Sequence, residues 1–186
     1  MVGLNDVDNV ALSNLISGKV GIIFGPADIQ DTVDPEDAIR IAAGSGLPNM
    51  LAVGIGPDII VTDLDGDPEA LFELNRQGAV VIVHAHGDNI DRMMAVVPML
   101  PGPVYGTTQV EETRGIHNYG GFTDGDRAVF LAMALGAKEV MLRGFDFNAP
   151  VEKARANPEV KRKKLDYARE LIDFASAHYG IEVVHL

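Results

Sequence analysis

The sequence predicts an α/β fold with a mostly parallel sheet. Three observations carry this: short Val- and Ile-rich runs alternate with longer segments of helical period, Gly, Pro and Asp mark the junctions, and several runs are almost continuously apolar. Unbroken apolar strands are what a sheet covered on both faces requires.

Taken in chain order, 6–16 has apolar residues at helical spacing and predicts a helical lead-in within residues 1–18. The first strand is 20–24 and the second 39–43, followed by a short helix at 47–53. A third strand at 59–62 leads to a helix at 68–77, with Asp67 placed to cap it, Pro68 in its first turn and Gly78 as its stop. Strand 80–84 precedes helix 90–100, and strand 104–107 precedes a polar, glycine-rich stretch at 109–125 that reads as a functional loop. Helix 126–135 starts at Asp126, an N-cap candidate, and stops at Gly136. Strand 139–142, helix 158–179 and strand 181–185 complete the pattern. Helices on both sides of such strands make a single three-layer, Rossmann-like domain over residues 1–186.

Composition agrees and excludes some functions. At 186 residues with 47% hydrophobic side chains the chain can bury a core without disulfides, and it has no cysteine to form them. That also removes thiolate zinc sites and cysteine nucleophiles. A net charge of −12 argues against broad binding to nucleic acid or to an anionic membrane. With no signal-like start and no apolar run of about 18 residues, a cytoplasmic protein is expected. Self-association into a homo-oligomer is left open.

Where the acids sit is more informative. Thr62-Asp63-Leu64-Asp65-Gly66-Asp67 follows an apolar strand, and carboxylates at alternate positions of an extended segment can converge. Their repulsion needs a cation or a proton to relieve it, and a hard divalent ion such as Mg²⁺ suits Asp63 and Asp65. Asp67 is explained by capping alone. His84-Ala85-His86-Gly87-Asp88-Asn89 follows the next strand and resembles half of a dinuclear zinc hydrolase motif, but Asn89 occupies the place of the further histidine. Gly120-Gly121-Phe122-Thr123-Asp124-Gly125-Asp126-Arg127 enters a helix, where backbone N–H groups and Arg127 could meet a phosphate. Gly144-Phe145-Asp146-Phe147 again follows a strand. In an open parallel sheet all of these fall on one edge, where ligands bind.

Weaker patterns compete. The Asp63-Leu64-Asp65 string mimics the nucleophile motif of haloacid-dehalogenase-type phosphatases, with Asp63 as nucleophile, although it lies late in the chain for that role. Gly44-Ser45-Gly46-Leu47-Pro48-Asn49 mimics a dinucleotide fingerprint but lacks its third glycine. The basic run Lys161-Arg162-Lys163-Lys164 could face a polyphosphate or only solvent. A nucleotide-binding module without catalysis is a further alternative.

The Asp63, His84 and Gly121 motifs together, in order and spacing, resemble the archaeal 6-hydroxymethyl-7,8-dihydropterin pyrophosphokinases. Gly144-Phe145-Asp146-Phe147 and the helix carrying Lys164-Leu165 agree, and Gly25-Pro26-Ala27 stands where that family often has Gly-Pro-Ser. The family is in turn similar to thiamin pyrophosphokinases. The resemblance implies Mg²⁺-dependent transfer of diphosphate from ATP to the hydroxymethyl group of a reduced pterin, releasing AMP, in folate or methanopterin biosynthesis. It implies Asp63, Asp65 and Asp88 as metal ligands, with Asp88 alternatively the base. Catalytic roles fall to Asp63, His84, Asp88 and Arg127. ATP contacts fall to Gly25, Pro26, His86, Asn89, Asp124 and Lys164, and pterin contacts to Asn118, Phe122 and Asp146.

Overall fold

A computed structural model describes residues 9–29, 33–148 and 158–186. Its centre is an eight-stranded sheet in the order β6-β5-β4-β3-β2-β1-β7-β8, and every strand pairing in it is parallel. The strands are β1 (Val20–Phe24), β2 (Ala38–Ala43), β3 (Ile59–Thr62), β4 (Val80–Ala85), β5 (Val104–Thr108), β6 (Ile116–His117), β7 (Glu139–Arg143) and β8 (Val183–His185). The helices are α1 (Val10–Ile16), α2 (Leu47–Ala52), α3 (Pro68–Arg76), α4 (Ile90–Val96), α5 (Asp124–Ala134) and α6 (Pro158–Tyr179).

Strand order reverses between β1 and β7, and this fixes the layers. The connections that build outward from β1 to β5 put α2, α3 and α4 on one face, packed on Ile22, Phe24, Ile60, Val81 and Val83. Those on the other side of β1 put α5 and α6 on the opposite face with α1, against Ile23, Ile41, Val61, Ile82 and Leu142. Alternate residues of one strand therefore feed two cores, which is why β1, β3 and most of β4 are buried throughout.

Several expectations shift. The start of the 6–16 helix lies partly outside the described residues. The 90–100 helix is α4 followed by a 3-10 turn at Val97–Met99, because Pro98 cannot continue the α-helical bonding. The 109–125 stretch contains β6, a short edge strand beside β5, so it is not wholly loop. Asp67 does cap α3, accepting from Glu69 N at 2.9 Å. Asp126 is not the N-cap of α5. Thr123 is, and Asp126, the third residue of α5, closes a capping box with it, buried and accepting from Phe122 N and Thr123 N at 2.7 and 2.6 Å.

Candidate active site

The C-terminal ends of the strands share one edge, so the loops after β1, β2, β3, β4 and β7 meet there with the start of α5. The loop after β3 is built by two side-chain turns. Thr62 Oγ1 accepts from Leu64 N at 2.9 Å, and Asp63 Oδ1 accepts from Asp65 N at 3.1 Å. Leu64 takes φ 69°, a left-handed conformation uncommon for leucine, which puts its side chain in the core. Asp63 and Asp65 thus come together through a turn and not, as the spacing suggested, along an extended strand.

Burial opposes ionisation of Asp63, but the hydrogen bonds from Asp65 and His86 outweigh it and hold the carboxyl below its ordinary value. Asp124, at the start of α5, is pushed up to about 7 by burial and then by the charges of Asp63 and Asp65, against the pull of Arg127. Asp124 therefore joins the Asp63–Asp65 pair. Among the described residues no group of three or more His, Asp or Glu is placed so that it could by itself hold a metal ion. A Mg²⁺ ion is ordinarily held by one or two carboxylates with waters and substrate phosphates, and this crowded acidic set fits that demand.

The histidines divide the work. His86 lies between two acids, with Nδ1 paired to Asp88 and Nε2 3.4 Å from Asp63 Oδ2. The imidazole separates them, so Asp63 and Asp88 do not converge on one point here. The Asp88 side chain is 82% exposed. His84 is buried behind His86, ring centroids 5.5 Å apart, with Nδ1 3.3 Å from Thr107 Oγ1. Burial, aided by the Arg127 and His86 charges, lowers His84 to about 4, so it stands neutral. Asn89 is fully engaged: its amide donates to His84 O at 2.7 Å and Asp63 O at 3.1 Å and accepts from His86 N at 3.3 Å.

Arg127 is buried and braces the loop before α5, donating to the carbonyls of Gly120 at 3.0 Å, Gly121 at 2.9 Å and Thr108 at 3.4 Å. Gly121, at φ 84°, lies so close to the Arg127 backbone that a Cβ would come 2.5 Å from its Cα. Asn118 shapes the same loop through Val110 O and Gly120 N, both at 3.1 Å. Phe122 is half-exposed, and Lys164 Nζ from α6 stands 6.0 Å from its ring centroid. At the switch between β1 and β7, Gly25 N donates to Arg143 O and Ala27 N to Gly144 O, both at 2.7 Å, while Pro26 O accepts from Asn49. Asp146 Oδ1, further along, accepts from Asn148 N at 2.8 Å.

Sequence reasoning missed Arg143. It is buried at the end of β7, paired with Asp34 at 2.6 Å and 5.9 Å from the Phe24 ring centroid. Its signal was a cation ending an apolar strand. Asp34 also binds Arg40, at 2.6 Å, and so ties β2 to β7 across β1.

A family model described as 6-hydroxymethylpterin diphosphokinase MptE-like matches residues 31–152. The chain is 46% identical over 153 residues to the 6-hydroxymethyl-7,8-dihydropterin pyrophosphokinase of Methanothermobacter thermautotrophicus, covering 77% of this chain and 65% of that protein. It is 42% identical over 177 residues to the protein of the same description from Pyrococcus furiosus, covering 88% and 74%. The chain thus spans 65% and 74% of the length of these two curated relatives. Among solved structures, the monofunctional alpha-2,3-sialyltransferase Cst-I from Campylobacter jejuni superposes with a TM-score of 0.59 at 11% identity, over 91% of this chain and 76% of that one. At that identity the likeness is one of fold.

Proposed function

The chain belongs to the MptE-like 6-hydroxymethylpterin diphosphokinase family, and on that footing we propose that it transfers diphosphate from ATP to the hydroxymethyl group of 6-hydroxymethyl-7,8-dihydropterin in a Mg²⁺-dependent reaction. The observation that carries the mechanism is the gathering of Asp63, Asp65 and Asp124 at the strand edge, where burial first and then the charges of Asp63 and Asp65 raise Asp124 to about 7. Bound Mg²⁺ supplies the positive charge that an acidic site otherwise lacks for a triphosphate.

The substrate alcohol attacks the β-phosphorus of ATP in line. A new O–P bond forms, the bond between the β-phosphorus and the α,β-bridging oxygen breaks, and AMP leaves with that oxygen. Asp63 and Asp65, with Asp124 beside them, would hold the metal. Asp88, exposed and backed by His86, accepts the alcohol proton. His84 and Asn89 keep His86 in place from behind, and Arg127 fixes the loop that carries Phe122 and Asp124. Lys164 meets the polyphosphate beside Phe122, and the Gly25-Pro26 turn lies along the nucleotide's path. Asn118 shapes the loop before α5, and Asp146 stands further along the same edge. No observation favours the phosphatase reading with Asp63 as nucleophile.

Incubation with ATP, MgCl₂ and the pterin alcohol tests this. AMP and the pterin diphosphate are expected in equal amounts, at least about 100-fold less with Asp63→Asn. ADP as the product, or no AMP with authentic substrate, would overturn it.

A further inference from the structure

Between the loop after β2 and the loop after β3 lies a cavity of about 440 Å³, of the size that takes a small molecule. Leu47, Pro48, Leu51, Leu64 and Leu71 give it apolar walls, and Asp65 stands at its lining beside Asp63. One wall belongs to the Gly44-Ser45-Gly46-Leu47-Pro48 segment, the dinucleotide-like pattern to which the proposed mechanism gives no role. That segment cannot serve a phosphate. Helix α2 has only six residues, and the Gly44 backbone is already taken up by the Asp124 carboxyl packed against it.

We infer that this cavity is the slot for the ring of the acceptor alcohol, with the bicyclic pterin packed between the Leu47-Pro48 wall and Leu64. The inference rests on the diphosphokinase reading. The discriminating fact is tether length. The acceptor's hydroxyl is one carbon from its ring, so a ring whose hydroxyl reaches the β-phosphorus must lie directly against the metal carboxylates, and the cavity includes Asp65 itself. The adenine of ATP is separated from the β-phosphorus by ribose and the α-phosphate, so it lies farther off. The left-handed φ of Leu64 fits the same design. One turn points Leu64 into the slot while leaving Asp63 and Asp65 on the edge above it.

Ala70 lines the slot from α3, and Ala70→Leu fills it with a residue that suits a helix. The expected result is a KM for 6-hydroxymethyl-7,8-dihydropterin raised about tenfold or more, with KM for ATP within about twofold of the wild type. Leu51→Ala widens the rim and checks the result without overpacking. It is expected to weaken binding of the fluorescent probe 6-hydroxymethylpterin severalfold, with an unchanged melting temperature. A wild-type enzyme that releases AMP, combined with an unchanged pterin KM in Ala70→Leu or a rise confined to ATP, overturns the slot while leaving the activity standing. A wild type that releases no AMP with this alcohol overturns the activity itself, and the slot with it.

Discussion

The Asp124 carboxylate rests against the backbone of Gly44, so that a methyl group on Gly44 would collide with it. The two residues come from different layers of the domain, α5 and the turn after β2, and their contact holds Asp124 beside Asp63 and Asp65. Gly44 also takes φ 47°, which a side chain tolerates poorly. Gly44→Ala is therefore expected to move Asp124 away from the acidic set. Turnover should fall about tenfold or more, with stability lowered by about 1–2 kcal/mol, read from AMP release and urea unfolding of the same preparation.

Arg127 is a second load point, although it touches no proposed reacting atom. Its guanidinium is buried and serves three loop carbonyls. Arg127→Met removes the charge and leaves those carbonyls without their donor, which should cost about 3 kcal/mol in urea unfolding. Arg127→Lys keeps the charge but cannot fork to Gly120 and Gly121 together, so it should recover only part of the loss. Equal stability of the lysine variant and the wild type would mean that charge, and not geometry, holds the loop.

The buried His84 makes stability depend on acid. Its pKa is lowered to about 4 from an ordinary value of 6.5, chiefly by burial, so the unfolded chain binds the proton more readily than the folded one. The contribution is whole above about pH 6.5 and is lost as pH falls from there through about 4, on the order of 3 kcal/mol in all. His84→Gln should flatten unfolding free energy against pH across that window. An unchanged slope would show that other groups carry the acid sensitivity.

The sheet was legible in the sequence because buried parallel strands must be apolar along their length, and 59–62 and 80–84 are. The edge bearing the acids followed from the parallel direction alone. What lay hidden depends on contacts across distant segments. Nothing local marks Leu64 for a left-handed turn, or sends Asp88 to the far side of His86 from Asp63. Asp126 looked like a cap because it stands near a helix start. Thr123, three residues earlier, completes a reciprocal box that needed only one more turn of helix. Arg127 had the right neighbourhood for a phosphate ligand, but its burial turned it to the backbone.

Asn89 separates packing from charge most sharply. Its amide nitrogen donates to the carbonyls of His84 and Asp63 at 2.7 and 3.1 Å, tying the loop after β4 to the loop after β3. Asn89→Ala removes both bonds and should cost about 2–3 kcal/mol at any pH. Asn89→Asp places a carboxylate oxygen against those two carbonyl oxygens, an arrangement tolerable only when the acid is protonated. Its folded-state pKa is thereby raised, so the loss should be small near pH 5 and should grow as pH rises to 8, passing that of the alanine variant. Urea unfolding of both variants at the two pH values tests this, and an aspartate variant indifferent to pH would mean that the side chain has swung out to solvent and left the two loops unjoined.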